Sequence, residues 1–140
     1  YAAQLGLKDT HFVNPHGLNA ENHYVTAYDM YLIFNEALKY DTVNEIISMT
    51  SYDTVYTDKN GNEKTLSVKN TNQYLAGNVA APDRVTVIGG KTGTTSAAGN
   101  CLILLARDTS GNPYIAVILK SAERGILYTE MNALLKQATS

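Results

Sequence analysis

One cysteine in 140 residues, no block of like charges and no long apolar run are the absences that narrow the reading of this chain. A lone Cys101 excludes an internal disulfide and leaves the redox compartment open. It sits in the run Cys101-Leu102-Ile103-Leu104-Leu105, where a small buried hydrophobe is expected. A net charge of −2 without charge clusters gives nothing that suggests a nucleic-acid or polyanion surface, and no nucleic-acid partner is expected. No stretch approaches the roughly 20 apolar residues a membrane-spanning helix needs. Internal repeats and low-complexity tracts are absent too. There is no signal peptide, and the opening Tyr1-Ala2-Ala3-Gln4-Leu5-Gly6 resembles the last turn of a helix with a glycine stop. That start predicts a segment of a longer polypeptide.

What is present is ordinary for a soluble globular protein: 44% hydrophobic and 17% charged residues. The length suits one domain with a real core. Residues 8–24 read as loop, with Asn14-Pro15-His16-Gly17 and Asn19 as turn formers. Thr26 offers an N-cap with Asp29 in the capping-box position, and Met30, Ile33, Phe34, Ala37 and Leu38 predict a helix over 27–39. A short helix from 42 or 43 to 49 follows. Runs 51–57 and 63–68 flank Asp58-Lys59-Asn60-Gly61-Asn62, a hairpin signal.

Residues 70–77 predict a helical turn with Tyr74 and Leu75 facing inward. Strands are expected at 85–88, 91–95, 98–107 and 114–120, the last two joined by a tight turn. Their near-continuous apolar content means burial on both faces, so helices must cover the sheet. A helix over 124–138 supplies one cover, with Leu127, Met131, Leu134 and Leu135 as its stripe.

The chemistry concentrates in Lys91-Thr92-Gly93-Thr94-Thr95, preceded by Gly89-Gly90. Lys91 supplies a cation, Thr92 and Thr94 supply hydroxyls, and Gly93 lets a ligand approach the strand closely. The competing reading is an edge strand carrying a lysine against aggregation. His11, His16 and His23 lack a carboxylate or thiol to complete a metal set and read as loop histidines bonding locally. The ten tyrosines are scattered and read as packing. Ser110-Gly111-Asn112, ahead of Pro113, is what a turn would be made of.

Three stretches together resemble one family. They are Leu5-Gly6-Leu7-Lys8-Asp9-Thr10-His11-Phe12-Val13-Asn14-Pro15-His16-Gly17-Leu18, then Asn70-Thr71-Asn72, then the Lys-Thr-Gly run with Ala98-Gly99 behind it. His23, Thr26-Ala27-Tyr28-Asp29-Met30 and the Arg124 helix extend the match to nearly the whole chain. The family is the D-alanyl-D-alanine carboxypeptidases, low-molecular-mass penicillin-binding proteins of the serine type. Class A β-lactamases share the Lys-Thr-Gly element but not Asn-Pro-His-Gly-Leu.

The resemblance implies an α+β fold: an antiparallel sheet covered by helices, part of the β-lactamase and penicillin-binding-protein transpeptidase fold. It implies that Lys91 positions the substrate carboxylate and shapes the field around the nucleophile. Thr92 and Thr94 would bond that carboxylate, across Gly93, and the Thr94 N–H would be one oxyanion donor. His16 would border the cleft and Arg124 would stand near the carboxylate subsite. No metal or cofactor is implied; the partners are peptidoglycan stem peptides and β-lactams, in an extracytoplasmic setting.

The family's Ser-x-x-Lys and Ser-x-Asn elements do not occur in their places here. Residues 1–140 are therefore expected to be the C-terminal segment of one catalytic domain, inactive alone. The alternatives are a truncated peptidoglycan-binding module and a β-lactamase or esterase relative. A sheet missing strands is expected to self-associate through the edge formed by 114–120, with the Lys91 strand at the opposite edge.

Overall fold

The structure, a computed structural model, describes residues 1–138. In chain order the elements are α1 (Ala27–Ala37), α2 (Asp41–Ser48), β1 (Ser51–Thr57), β2 (Glu63–Lys69), β3 (Val85–Thr95), β4 (Gly99–Asp108), β5 (Pro113–Ser121) and α3 (Arg124–Ala138). β1 and β2 form a two-stranded antiparallel hairpin. The other three strands form an antiparallel meander in the order β3-β4-β5, so β3 and β5 are its edges. Among the described residues no helix is long and apolar enough to cross a membrane.

Strand alternation sends Leu102, Leu104 and Ala106 of β4 to one face of the meander. There they meet Ala116 of β5 and Leu127, Tyr128, Met131 and Leu135 of α3. The opposite face holds buried Ile103 and is covered by α1 against β5 and α2 against β3. The expected two-sided burial is therefore present. Tyr128, not Leu134, completes the α3 stripe: at 100° per residue Leu134 falls on the flank of the arc, and it stays 36% exposed.

Two further expectations changed. The strands expected at 85–88 and 91–95 are one strand, running through Gly89-Gly90 with a register irregularity after Val87. Both glycines are buried, and a Cβ on Gly89 would lie 2.7 Å from the Ile47 carbonyl oxygen of α2. The dipeptide that reads as a break is instead continuous strand: a helix backbone presses on Gly89, and a Cβ on Gly90 would run into the Ile103 carbonyl oxygen of β4. Cys101 is only half-buried; its Sγ lies 3.4 Å from the Ala98 carbonyl oxygen and 3.5 Å from the Lys120 nitrogen.

Thr26 caps α1 as expected, its hydroxyl accepting the Asp29 N–H at 3.1 Å. Asp29 itself does something else. Its buried carboxylate accepts the Asp9 N–H at 3.1 Å and the Thr10 hydroxyl at 2.6 Å, pinning the long N-terminal loop to the helix. In the β4–β5 turn the Asp108 carboxylate accepts N–H bonds from Ser110 and Asn112 at 2.8 and 2.9 Å. These bonds, with the Asn112 side-chain amide foremost, hold its carboxyl below the usual carboxylate range. Ser110-Gly111-Asn112 is thus a turn, as its composition implies.

Candidate active site

β3 delivers the Lys-Thr-Gly element. Its residues pair with β4 as Lys91–Ile103, Thr92–Leu102, Gly93–Cys101 and Thr94–Asn100, and its other side pairs with no strand among the described residues. Lys91 is exposed, and its Nζ donates to the Thr92 carbonyl at 2.5 Å. Alternation puts Lys91, Gly93 and Thr95 on one face, Thr92 and Thr94 on the other. Nothing stands within 4 Å of where a Gly93 Cβ would be, so that face of the strand is open.

Each end of this strand segment is fastened by a different part of the chain. Thr95 donates to the Asn19 side-chain oxygen at 2.6 Å, and the Asn19 amide reaches Ser96 Oγ at 3.2 Å. Asn19 thereby holds the loop carrying His16 against the end of β3. His16 is exposed and turns Nδ1 to the Leu18 N–H at 3.2 Å. His11 and His23 are likewise engaged locally, with the Asn22 carbonyl and the Val13 N–H.

Thr94 donates to the Asn100 side-chain oxygen at 3.3 Å, and the Asn100 amide donates to the Ala122 carbonyl at 3.3 Å. Arg124, exposed, follows two residues later as the first residue of α3. It lines a shallow cavity of about 370 Å³ with Gln73, Asn78, Tyr128, Thr129 and Asn132. Among the described residues neither Lys91 nor Arg124 is ion-paired. Each leaves an exposed positive charge free to draw an anion.

The structure thus gathers Lys91, Thr92, Gly93 and Thr94 on one strand. Asn19 ties the His16 loop to that strand and Asn100 ties the segment before α3 to it, while His16 and Arg124 themselves make no described contact with it. Asn19, Asn100 and Thr71, whose hydroxyl meets Thr92, are contributors to which the sequence assigned no site role, although Asn70-Thr71-Asn72 is one of the stretches that carry the resemblance. Asn100 was countable: closing the hairpin at Thr95–Gly99 puts it opposite Thr94. Behind the site Tyr74 and Tyr128 stack edge-on with centroids 5.2 Å apart. Burial, with Tyr128 beside it, pushes the Tyr74 phenol up to about 12, so it remains a donor to Asn132 Oδ1, 2.8 Å away.

The D-alanyl-D-alanine carboxypeptidase family model matches residues 1–123. The chain is 37% identical over 136 residues to D-alanyl-D-alanine carboxypeptidase DacF of Bacillus subtilis, covering 93% of this chain and 31% of that protein. It is 36% identical over 108 residues to DacA of Escherichia coli, covering 77% of this chain and 24% of that protein. The crystal structure of the Streptomyces K15 DD-transpeptidase superposes with a TM-score of 0.84 at 27% identity, over 96% of this chain and 49% of that one. A D-alanyl-D-alanine carboxypeptidase from Mycobacterium tuberculosis shares the fold, with a TM-score of 0.76 at 22% identity over 98% of this chain and 49% of that one. The chain therefore spans about a third or less of the two curated relatives and about half of the solved structures. By the family match and the shared α+β fold, the chain belongs to the D-alanyl-D-alanine carboxypeptidase family.

Proposed function

We propose that these residues form the C-terminal part of the catalytic domain of a serine-type D-Ala-D-Ala carboxypeptidase. The enzyme trims the terminal D-alanine from peptidoglycan stem peptides outside the cytoplasm and is acylated by penicillin. The observation that carries this reading is the unpaired side of β3, which presents Lys91, Thr92 and Thr94 along an open strand. An extended peptide end can lie along such a strand, its carboxylate drawn by Lys91 and Arg124 and bonded by the Thr92 hydroxyl and by the Thr94 hydroxyl as it turns from Asn100. The Thr94 N–H is one oxyanion donor. Gly93 keeps the approach clear, and the His16 loop borders the cleft.

No Ser-x-x-Lys occurs among these residues, so the nucleophile comes from elsewhere in the polypeptide. Its oxygen attacks the penultimate D-Ala carbonyl while a base takes the hydroxyl proton. The tetrahedral species collapses, D-alanine leaves with a proton on its amine, and water releases the acyl group. The test is a fluorescent penicillin followed by a denaturing gel. The intact polypeptide should carry a stoichiometric label and release D-alanine from a D-Ala-D-Ala peptide, and the 140-residue chain should do neither. A labelled 140-residue band would overturn the division of the site. An intact protein that binds stem peptides without releasing D-alanine would favour a binding module.

The same reading extends to self-association of the isolated chain. β5 has no strand on its outer side among the described residues. Tyr1, Phe12 and Tyr40 stand 73%, 47% and 57% exposed around a cavity floored by Leu5, Ile33 and Val43. An unpaired edge templates pairing with another chain, and exposed apolar surface elsewhere on the chain adds to the tendency. Light scattering at about millimolar concentration should show oligomers that bind a hydrophobic dye. A monomer that leaves the dye dark would show that the chain closes its own core.

A further inference from the structure

Thr71 lies in the turn between β2 and β3, and its Oγ1 stands 2.5 Å from Thr92 Oγ1. A hydroxyl has one proton and two lone pairs. One member of the pair therefore donates across the contact, and the other keeps a proton to point elsewhere. In either arrangement the two threonines together keep one O–H free to donate, one residue along β3 from Lys91.

The turn that carries Thr71 is held from three sides. Its own carbonyl accepts the Gln73 side-chain amide at 3.0 Å, and Gln73 Oε1 accepts from Asn78 at 2.8 Å. The Gln73 N–H donates to Tyr128 Oη of α3 at 3.0 Å. The Asn70 side chain donates to the Met49 carbonyl at the end of α2 at 2.7 Å and accepts the Asn72 N–H at 2.9 Å. Asn72 is fully buried. The Thr71 side chain is exposed, so this bonding fixes a hydroxyl at the surface beside the site strand rather than filling a core.

We propose that Thr71 is a positioning residue of the carboxylate subsite. It orients the Thr92 hydroxyl so that the pair donates one hydrogen bond to the terminal carboxylate of the substrate. This rests on the carboxypeptidase reading above, and it concerns how tightly a free acid is distinguished from a neutral end. A hydrogen bond to a charged oxygen is worth about ten- to a hundredfold in affinity.

The test uses the intact polypeptide, unaltered and as Thr71→Val and Thr71→Ser, with a peptide ending in D-Ala-D-Ala and the same peptide as its C-terminal amide. Thr71→Val should lower kcat/KM for the acid by about tenfold or more, mainly through KM, and change that for the amide by less than about twofold. Thr71→Ser should restore the acid value. Equal losses on acid and amide, an unchanged acid value in the valine variant, or no recovery with serine would each overturn the assignment. If the unaltered protein cleaves neither peptide, the carboxypeptidase reading itself fails and this inference with it. An active parent with indifferent Thr71 variants sinks the inference alone.

Discussion

Replacing Lys91 with alanine in the intact polypeptide is expected to slow acylation by penicillin roughly 30- to 900-fold, about 2–4 kcal/mol of transition-state stabilisation. The fold should be unaffected, because Lys91 is exposed and its described bond is to its own strand. A rapid-mixing assay with a fluorescent penicillin reads the rate, and thermal unfolding reads the fold. Thr94→Ala should do less, since the oxyanion contact assigned to Thr94 is made by its backbone. Normal acylation by a normally folded Lys91→Ala protein would remove the lysine from the mechanism.

The largest stability change is expected at Met131→Ala. Met131 is 0% exposed at the centre of the α3–sheet contact, and truncating a fully buried methionine costs about 2–5 kcal/mol. The denaturant midpoint should fall with little change in slope. Leu134→Ala, one turn along the same helix but 36% exposed, should cost less than about 1 kcal/mol. Equal losses at the two positions would mean that α3 does not seat on the sheet through the face described.

Much of this was readable from sequence because the signals were local. Asn60-Gly61 between alternating runs set the β1–β2 hairpin, and residues 124–138 carried enough helical periodicity to place α3 to the residue. Periodicity failed at Leu134 because Tyr128 extends the buried arc on the side away from it, leaving Leu134 at the opposite flank. Gly89-Gly90 reads as a break because the reasons for glycine there are distant: the Ile47 backbone some forty residues away at Gly89, and the Ile103 backbone of β4 at Gly90. In the site, Lys91, Thr92, Gly93 and Thr94 were legible as a motif on one strand. The contacts of Asn19 with Thr95 and of Thr71 with Thr92 were not, because nothing local links residues 76 and 21 positions apart.

That separation bears on how the site comes together. Closing the meander at Thr95–Gly99 constrains a loop of three residues, whereas seating Asn19 on Thr95 closes one spanning 76 positions. Loop-closure entropy makes the second roughly 2–3 kcal/mol more demanding, with two side-chain hydrogen bonds to set against it. Order along the chain therefore favours the sheet first and the His16 loop last. A protein with native secondary structure by circular dichroism can still have an unassembled site, so folding of this chain is better followed by a probe on the loop than by one on the strands.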